Sequence, residues 1–229
     1  CSVSGIAQFI TTRGIHELKE WLEAGYDTIQ DWDKQYSDWF AVPKSIKTTS
    51  VKPSGTVSLL AGATPGLHYP ESRFYIRRVR LSKHSELIEP MKKAGYKIEP
   101  AYGSEDTTSV VEVPVDVGEG IRTAGELSIW EQFNIAAFMQ RHWADNQVSC
   151  TVTFNPETEG EQIPHVLNYF QYHLKGISLL PRHDYGAYPQ MPYESIDEKE
   201  YNKQIKKLGK LSFGVIKNEE AEIDKFCNN

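Results

Sequence analysis

The amino-acid sequence predicts an α/β fold in which helices cover parallel strands, and three observations carry that reading. Residues 128–143 place Ile129, Phe133, Ala136, Ala137 and Met139 on one helical face, then run directly into residues 147–154, where valines alternate with Ser149, Thr151 and Thr153. A helical pattern over residues 163–174, Gly176 and the short apolar run 177–180 repeat the same order, and repeated helix-then-strand units imply parallel strands. The β-branched segment 46–51 feeds a run of small hydroxyl residues at 52–58 and then a helical start over 57–61.

The other elements follow in chain order. Ile15, Leu18, Trp21 and Leu22 recur at helical spacing before Gly25, which is expected to break the run. A second helix would then carry Tyr26, Ile29, Trp32, Tyr36 and Trp39 along one face, a stripe more readily explained by core packing than by a ligand platform. Residues 74–81 alternate Phe74, Ile76 and Val79 with Arg73, Arg77, Arg78 and Arg80, as in a strand with one polar face. Those arginines either form a solvated face or meet an anionic ligand. A helix over 85–95 ends in a glycine cap, and strands follow around 97–102 and 109–115. After Pro181 the composition shifts. Tyr185, Tyr188, Pro189, Pro192 and Tyr193 mark a loop-rich passage, 197–208 a charged helix and 211–216 a strand-like segment, so a boundary is expected near Gly186, dividing 1–185 from 186–229.

With 25 basic and 31 acidic residues the formal charge is -6, which argues against a general nucleic-acid or anionic-membrane binder. Any anion must be met by local groups. Three widely spaced cysteines give neither a disulfide framework nor a zinc signature, and none of the seven histidines falls into a metal-binding spacing. A reducing compartment is expected, and with no signal peptide or membrane-length apolar run, the cytoplasm.

The run Lys52, Pro53, Ser54, Gly55, Thr56, Val57, Ser58 has the chemistry of a phosphate loop. Amides at a helix start lack intrahelical partners, Ser54, Thr56 and Ser58 add hydroxyl donors, Gly55 permits close backbone approach, and Pro53 presets the turn. An ordinary Ser-capped helix after a strand is the simpler alternative. Neither the Gly-x4-Gly-Lys loop of nucleoside triphosphatases nor a Gly-x-Gly-x-x-Gly fingerprint occurs.

The wider run TTSVKPSGTVSLLAGATPGLHYP at residues 48–70 resembles the adenosylcobalamin-dependent ribonucleotide reductases of the monomeric ribonucleoside-triphosphate type. WADNQVSCTVTF at 143–154 and DKFCNN at 224–229 resemble later segments of the same family, and the likeness runs over essentially the whole chain. It implies the C-terminal part of a ten-stranded α/β barrel built from two five-stranded parallel halves, with a small C-terminal α+β region and a flexible tail. It also implies that residues 53–58 surround the phosphates of a ribonucleoside triphosphate, whose ribose is reduced by thiyl radical chemistry begun by adenosylcobalamin. A deoxynucleotide effector, thioredoxin as reductant and the remainder of the same polypeptide are the further partners implied, and the arginines of 73–80 gain the rim of a cobalamin as a possible contact.

His68, just after the phosphate segment, is the histidine expected nearest the site, and Arg182, His183 and Asp184 stand at the end of a predicted strand. Cys227, in a polar tail, corresponds to the first cysteine of the family's shuttle pair. Cys150 reads as a buried structural thiol, and Cys1 is left unassigned. The family's radical cysteine, its redox partners and its glutamate fall on segments that precede Cys1 or are absent, so none is assigned here. Two other readings stay open: a non-catalytic nucleotide-binding half-barrel, and a fragment of a cobalamin-independent reductase, whose loop usually has glutamate where Gly55 stands.

Overall fold

The computed structural model describes residues 1–55, 57–182 and 189–212. The chain is α/β and divides into two compact units, residues 1–73 with 116–186, and residues 74–115 with 187–229.

The first unit begins with α1 (Ile6–Phe40), followed by the one-turn α2 (Val57–Leu60). The sequence places a helix break at Gly25; the structure places it at Gly14, whose φ of 82° and ψ of 165° are not helical. Gly25 continues the helix, where a Cβ would stand 3.4 Å from the Trp143 ring.

Helix α4 (Ile129–His142) starts at Ser128, whose hydroxyl accepts from the Glu131 N–H while the Glu131 carboxylate accepts from the Ser128 N–H. Arg122 and these Ser128 bonds outweigh burial and hold the Glu131 carboxyl at about 2. The helix buries Ile129, Phe133, Ala136 and Met139, each larger side chain contributing about 1.5–3 kcal/mol relative to exposure. They join Leu18 and Leu22 of α1, Val51, Val148, Val152 and Phe154 of the sheet, and Val166 and Phe170 of α6 (Ile163–Phe170) in one core.

The expected parallel pairing is present. β4 (Thr151–Phe154) and β5 (Ser178–Pro181) pair parallel, Thr151 opposite Ser178 and Phe154 opposite Pro181, with α5 (Pro156–Glu159) in their connection. Parallel bridges Val51↔Val148 and Ser2↔Ser50 extend the arrangement to two further segments. The sequence predicts a strand over 46–51, yet only Ser50 and Val51 make bridges there, and side chains take several of the backbone groups of this segment. Trp143 Nε1 donates to the Ser50 carbonyl at 3.0 Å, and the Thr48 N–H donates to Asp145 at 2.9 Å. Gln132 acts likewise on β4, donating to the Thr153 carbonyl at 2.7 Å and accepting from the Thr153 N–H at 3.0 Å.

In the second unit β1 (Phe74–Ser82), β2 (Lys97–Pro100), β3 (Thr108–Asp116) and β6 (Tyr193–Ser195) form a sheet in the order β2-β3-β1-β6, with β2/β3 and β1/β6 antiparallel. Helices α3 (Ile88–Lys93) and α7 (Glu198–Ile205) complete it, and Tyr201 packs on Phe74 at 4.9 Å between ring centroids. Tyr193, expected in a loop, is the first residue of β6. The strand-like reading of 211–216 and the boundary near Gly186 fall largely or wholly outside the described residues. Among the described residues no helix is long and apolar enough to cross a membrane.

Asp145 ties α1 to the first parallel segments: it accepts from Tyr26 OH at 2.7 Å and from Thr48 N–H and Oγ1 at 2.9 and 3.0 Å. Burial opposes its ionisation, but these bonds outweigh burial and hold its carboxyl below the usual carboxylate range. A depressed carboxyl contributes stability above its unfolded pKa and loses it as pH falls through the folded value. Asp145→Ala is therefore expected to cost about 2 kcal/mol in urea unfolding at neutral pH, with the difference from the parent shrinking on acidification below about pH 4.

Candidate functional site

The loop of residues 52–66 leaves the C-terminal end of the segment that bridges at Ser50 and Val51 and is closed upon itself and upon residues 2–8. Ser54 sits in the left-handed region at φ 50°, an uncommon conformation for a side chain other than glycine. Its Oγ accepts from the Gly66 N–H at 2.9 Å and lies 2.6 Å from Ser4 Oγ. Three hydrogens meet at this serine pair, one N–H and two O–H. The N–H and one O–H are used internally, and the pair has one further hydroxyl hydrogen to donate.

Around it the closure is dense. Lys52 N–H donates to Ser2 Oγ at 3.0 Å, Gly5 N–H to the Thr64 carbonyl at 2.9 Å, and Gln8 holds both the Gly62 carbonyl and the Thr64 N–H. Gly66, at φ 52°, stands so near Lys52 that a Cβ would come within 2.5 Å of its carbonyl oxygen.

Of the residues singled out from sequence, Ser54 and Gly55 are half-buried at the loop, and Lys52, Pro53 and Val57 are exposed. Ser58 is buried; its N–H donates to the Ser54 carbonyl at 3.0 Å, and its Oγ has no partner among the described residues. Thr56 lies outside the described residues, as do His183, Asp184 and Cys227.

His68 is half-buried and bridges two elements. Its Nε2 accepts from the Thr151 N–H at 3.4 Å, which leaves Nδ1–H to donate to the Pro65 carbonyl at 3.3 Å. Burial pushes its pKa down, with the Pro65 bond opposing, so the ring is neutral with the proton on Nδ1. His68 thus anchors the end of the loop to the start of β4. Arg182 follows β5 and donates to the Thr153 carbonyl at 3.1 Å.

Three of the four arginines of β1 and its approach are engaged by the protein, and Arg80 is exposed. Arg73 pairs with Asp116 at 3.2 Å, and Arg77 donates to the Pro192 carbonyl at 3.1 Å and lies 4.4 Å over the Tyr193 ring. Arg78 pairs with Glu112 and Glu194. Cys150 is buried, and desolvation pushes its thiol up to about 12, so it is unreactive at neutral pH. Among the described residues no group of three or more His, Cys, Asp or Glu side chains is placed to hold a metal ion.

Ser2, Ser4 and Gln8 escape a reading of sequence because about fifty residues separate them from their loop partners. Their one local signal is the pair of hydroxyls at alternate positions before Gly5, which an extended segment directs to one side.

A helix-covered parallel sheet with a small-residue loop leaving the C-terminal end of one segment is the arrangement in which α/β proteins gather ligands. No family model matches the chain. It is 54% identical to the adenosylcobalamin-dependent ribonucleoside-triphosphate reductase of Euglena gracilis, over 100% of this chain and 32% of that protein. The same identity holds to the probable adenosylcobalamin-dependent ribonucleoside-triphosphate reductase of Dictyostelium discoideum, over 100% of this chain and 31% of that protein. The enzyme of that name from Levilactobacillus brevis is 40% identical over 80% of this chain and 25% of its own length. A crystal structure of a B12-dependent, class II ribonucleotide reductase superposes with a TM-score of 0.78 at 33% identity, over 90% of this chain and 32% of that one. Along its full length the chain is a homologue of part of the adenosylcobalamin-dependent ribonucleoside-triphosphate reductases, and it spans about a third of the length of the curated relatives it matches.

The close approach at Gly66 and the open space at Gly62 give a paired test of the loop. Gly62 has φ 61° with nothing within 4 Å of a Cβ, so Gly62→Ala should cost only the left-handed backbone penalty, about 1 kcal/mol. Gly66→Ala adds a collision with backbone and should cost at least about 3 kcal/mol in the same urea titration.

Proposed function

We propose that this chain is the C-terminal part of an adenosylcobalamin-dependent ribonucleoside-triphosphate reductase and that its loop at residues 53–58 holds the phosphates of the ribonucleotide substrate. The observation that carries the reading is the Ser54 and Ser4 hydroxyl pair, fixed by the Gly66 N–H at the end of a parallel segment with one further O–H to donate. The names of the full-length relatives favour this enzyme over a non-catalytic half-barrel and over a cobalamin-independent reductase.

On this reading the parallel segments, which lie in residues 1–73 and 116–186, belong to the later half of a ten-stranded barrel, and the expected small C-terminal region takes in residues 74–115 as well. The loop holds the triphosphate so that the ribose is presented for loss of its 2′-hydroxyl. Ser54 and Thr56 supply hydroxyls, Gly55 lets the backbone come near, Pro53 and Val57 shape the turn, the buried Ser58 backs it through its N–H bond to the Ser54 carbonyl, and His68 holds the loop's end against β4 from the rim of the site.

Adenosylcobalamin supplies the radical that begins the reduction. Arg77 and Arg78 are committed to partners within the chain, so the cofactor's contacts are proposed to come from other residues of the polypeptide. Cys227 is proposed as the first cysteine of a shuttle that takes electrons from thioredoxin by disulfide exchange, and a deoxynucleotide effector is proposed to act elsewhere on the protein. The cytoplasm is the proposed setting.

The test is the Ser54→Ala, Thr56→Ala double change in the full-length enzyme. Losing one or two hydrogen bonds to phosphate should weaken substrate binding by about 1–3 kcal/mol. An unchanged Michaelis constant and turnover would overturn the assignment. Cys227→Ser should leave a single turnover intact and stop thioredoxin-driven cycling; sustained cycling would remove its role.

A further inference from the structure

Helix α1 carries one apolar stripe, of which only the first part is covered. Leu18 and Leu22 are buried in the core, and Tyr26 and Ile29 pack against it. At the same helical spacing the stripe continues through Trp32, Tyr36, Trp39 and Phe40, and there it meets solvent. Trp39 is 64% exposed and Phe40 73%, with Trp32 and Tyr36 about half exposed. The rings form one ordered surface: Trp32 stacks on Tyr36 at 5.4 Å, and Tyr36 meets Trp39 edge-on at 5.4 Å and Phe40 at 6.4 Å. Val42 and Ile46 just beyond the helix are also exposed. A contiguous patch of this kind marks an interaction surface, whereas single exposed apolar residues do not.

We infer that the Trp32–Tyr36–Trp39–Phe40 face is the docking surface for another segment of the same polypeptide, one that lies outside these 229 residues. Relatives that match the chain along its whole length are about three times as long, so most of such a polypeptide is available to cover it. The charges around the stripe say what that segment presents. Asp27, Asp31, Asp33 and Asp38 outnumber Lys34 over this stretch of helix, so the covering segment has an apolar centre and a basic rim. The same acidic rim argues against a second copy of the chain, because a two-fold interface would set the patch against itself. This inference uses the homology but not the phosphate-loop reading, and each can fail alone.

The experiment is hydroxyl-radical footprinting, read by mass spectrometry, of the full-length polypeptide that contains this chain. In the folded protein Trp39 and Phe40 should be oxidised at least about tenfold more slowly than in the same protein unfolded in denaturant, as at a water-excluding interface. Rates within about twofold of the unfolded protein, as their present exposure gives, would overturn the proposal. Protection that appears only at concentrations where the protein sediments as a dimer would overturn it too, and would assign the face to a second copy.

Discussion

The geometry of the candidate site depends on one constraint, the closure of the 52–66 loop onto residues 2–8. Gly66 approaches the Lys52 carbonyl more closely than any Cβ permits, and that approach brings the Gly66 N–H within reach of Ser54 Oγ. Ser54 holds its left-handed conformation because two partners engage its hydroxyl. Strain of this sort persists only where the surroundings over-determine it. Ser2, Ser4 and Gln8, on and after the first parallel segment, supply that determination, so the loop's shape is set largely by residues some fifty positions away.

The sheet beneath the loop is held in an unusual way. Among the described residues of this unit only β4 and β5 form a ladder, and the remaining parallel segments meet at single bridges. Buried backbone groups still need partners, and side chains provide them: Trp143 for Ser50, Asp145 for Thr48, Gln132 for Thr153. Each of these donors or acceptors sits on α4 or just after it. One helix therefore contributes to the core through its apolar face and fixes the strands through polar groups along its length and end.

Much of this was legible in the sequence where periodicity was strong. The apolar face of α4, its run into β4 and the repeat through α6 into β5 are strict enough to predict parallel pairing. The hydroxyl run was legible as a loop that leaves a parallel segment, and its phosphate chemistry belongs to the proposed function. What the sequence hid falls into two kinds. Gly25 and Gly14 are the same residue type in one apolar pattern, and no local signal tells that Gly14 leaves helical geometry while Gly25 continues the helix. The segment before Val51 has β propensity, yet its backbone partners include an indole and a carboxylate, which no local pattern signals. Ser4 is hidden for the same reason, since a lone serine means nothing until its partner is known.

The distribution of charge bears on how an anion would be held. The chain is acidic overall, and Arg73, Arg77, Arg78 and Arg122 are each engaged with carboxylates, carbonyls or a ring. The loop offers hydroxyls and amides, with Lys52 the one cation in its own sequence. Hydroxyls and amides recognise phosphate by placement, because each is short-ranged and directional, whereas a cluster of arginines attracts any polyanion from a distance. A site of that kind gains little from long-range attraction and depends on the loop being correctly shaped before the ligand arrives. The dense closure around Ser54 and Gly66 meets that requirement, so on the proposed function the hydrogen bonds that stabilise the loop are also what makes it selective.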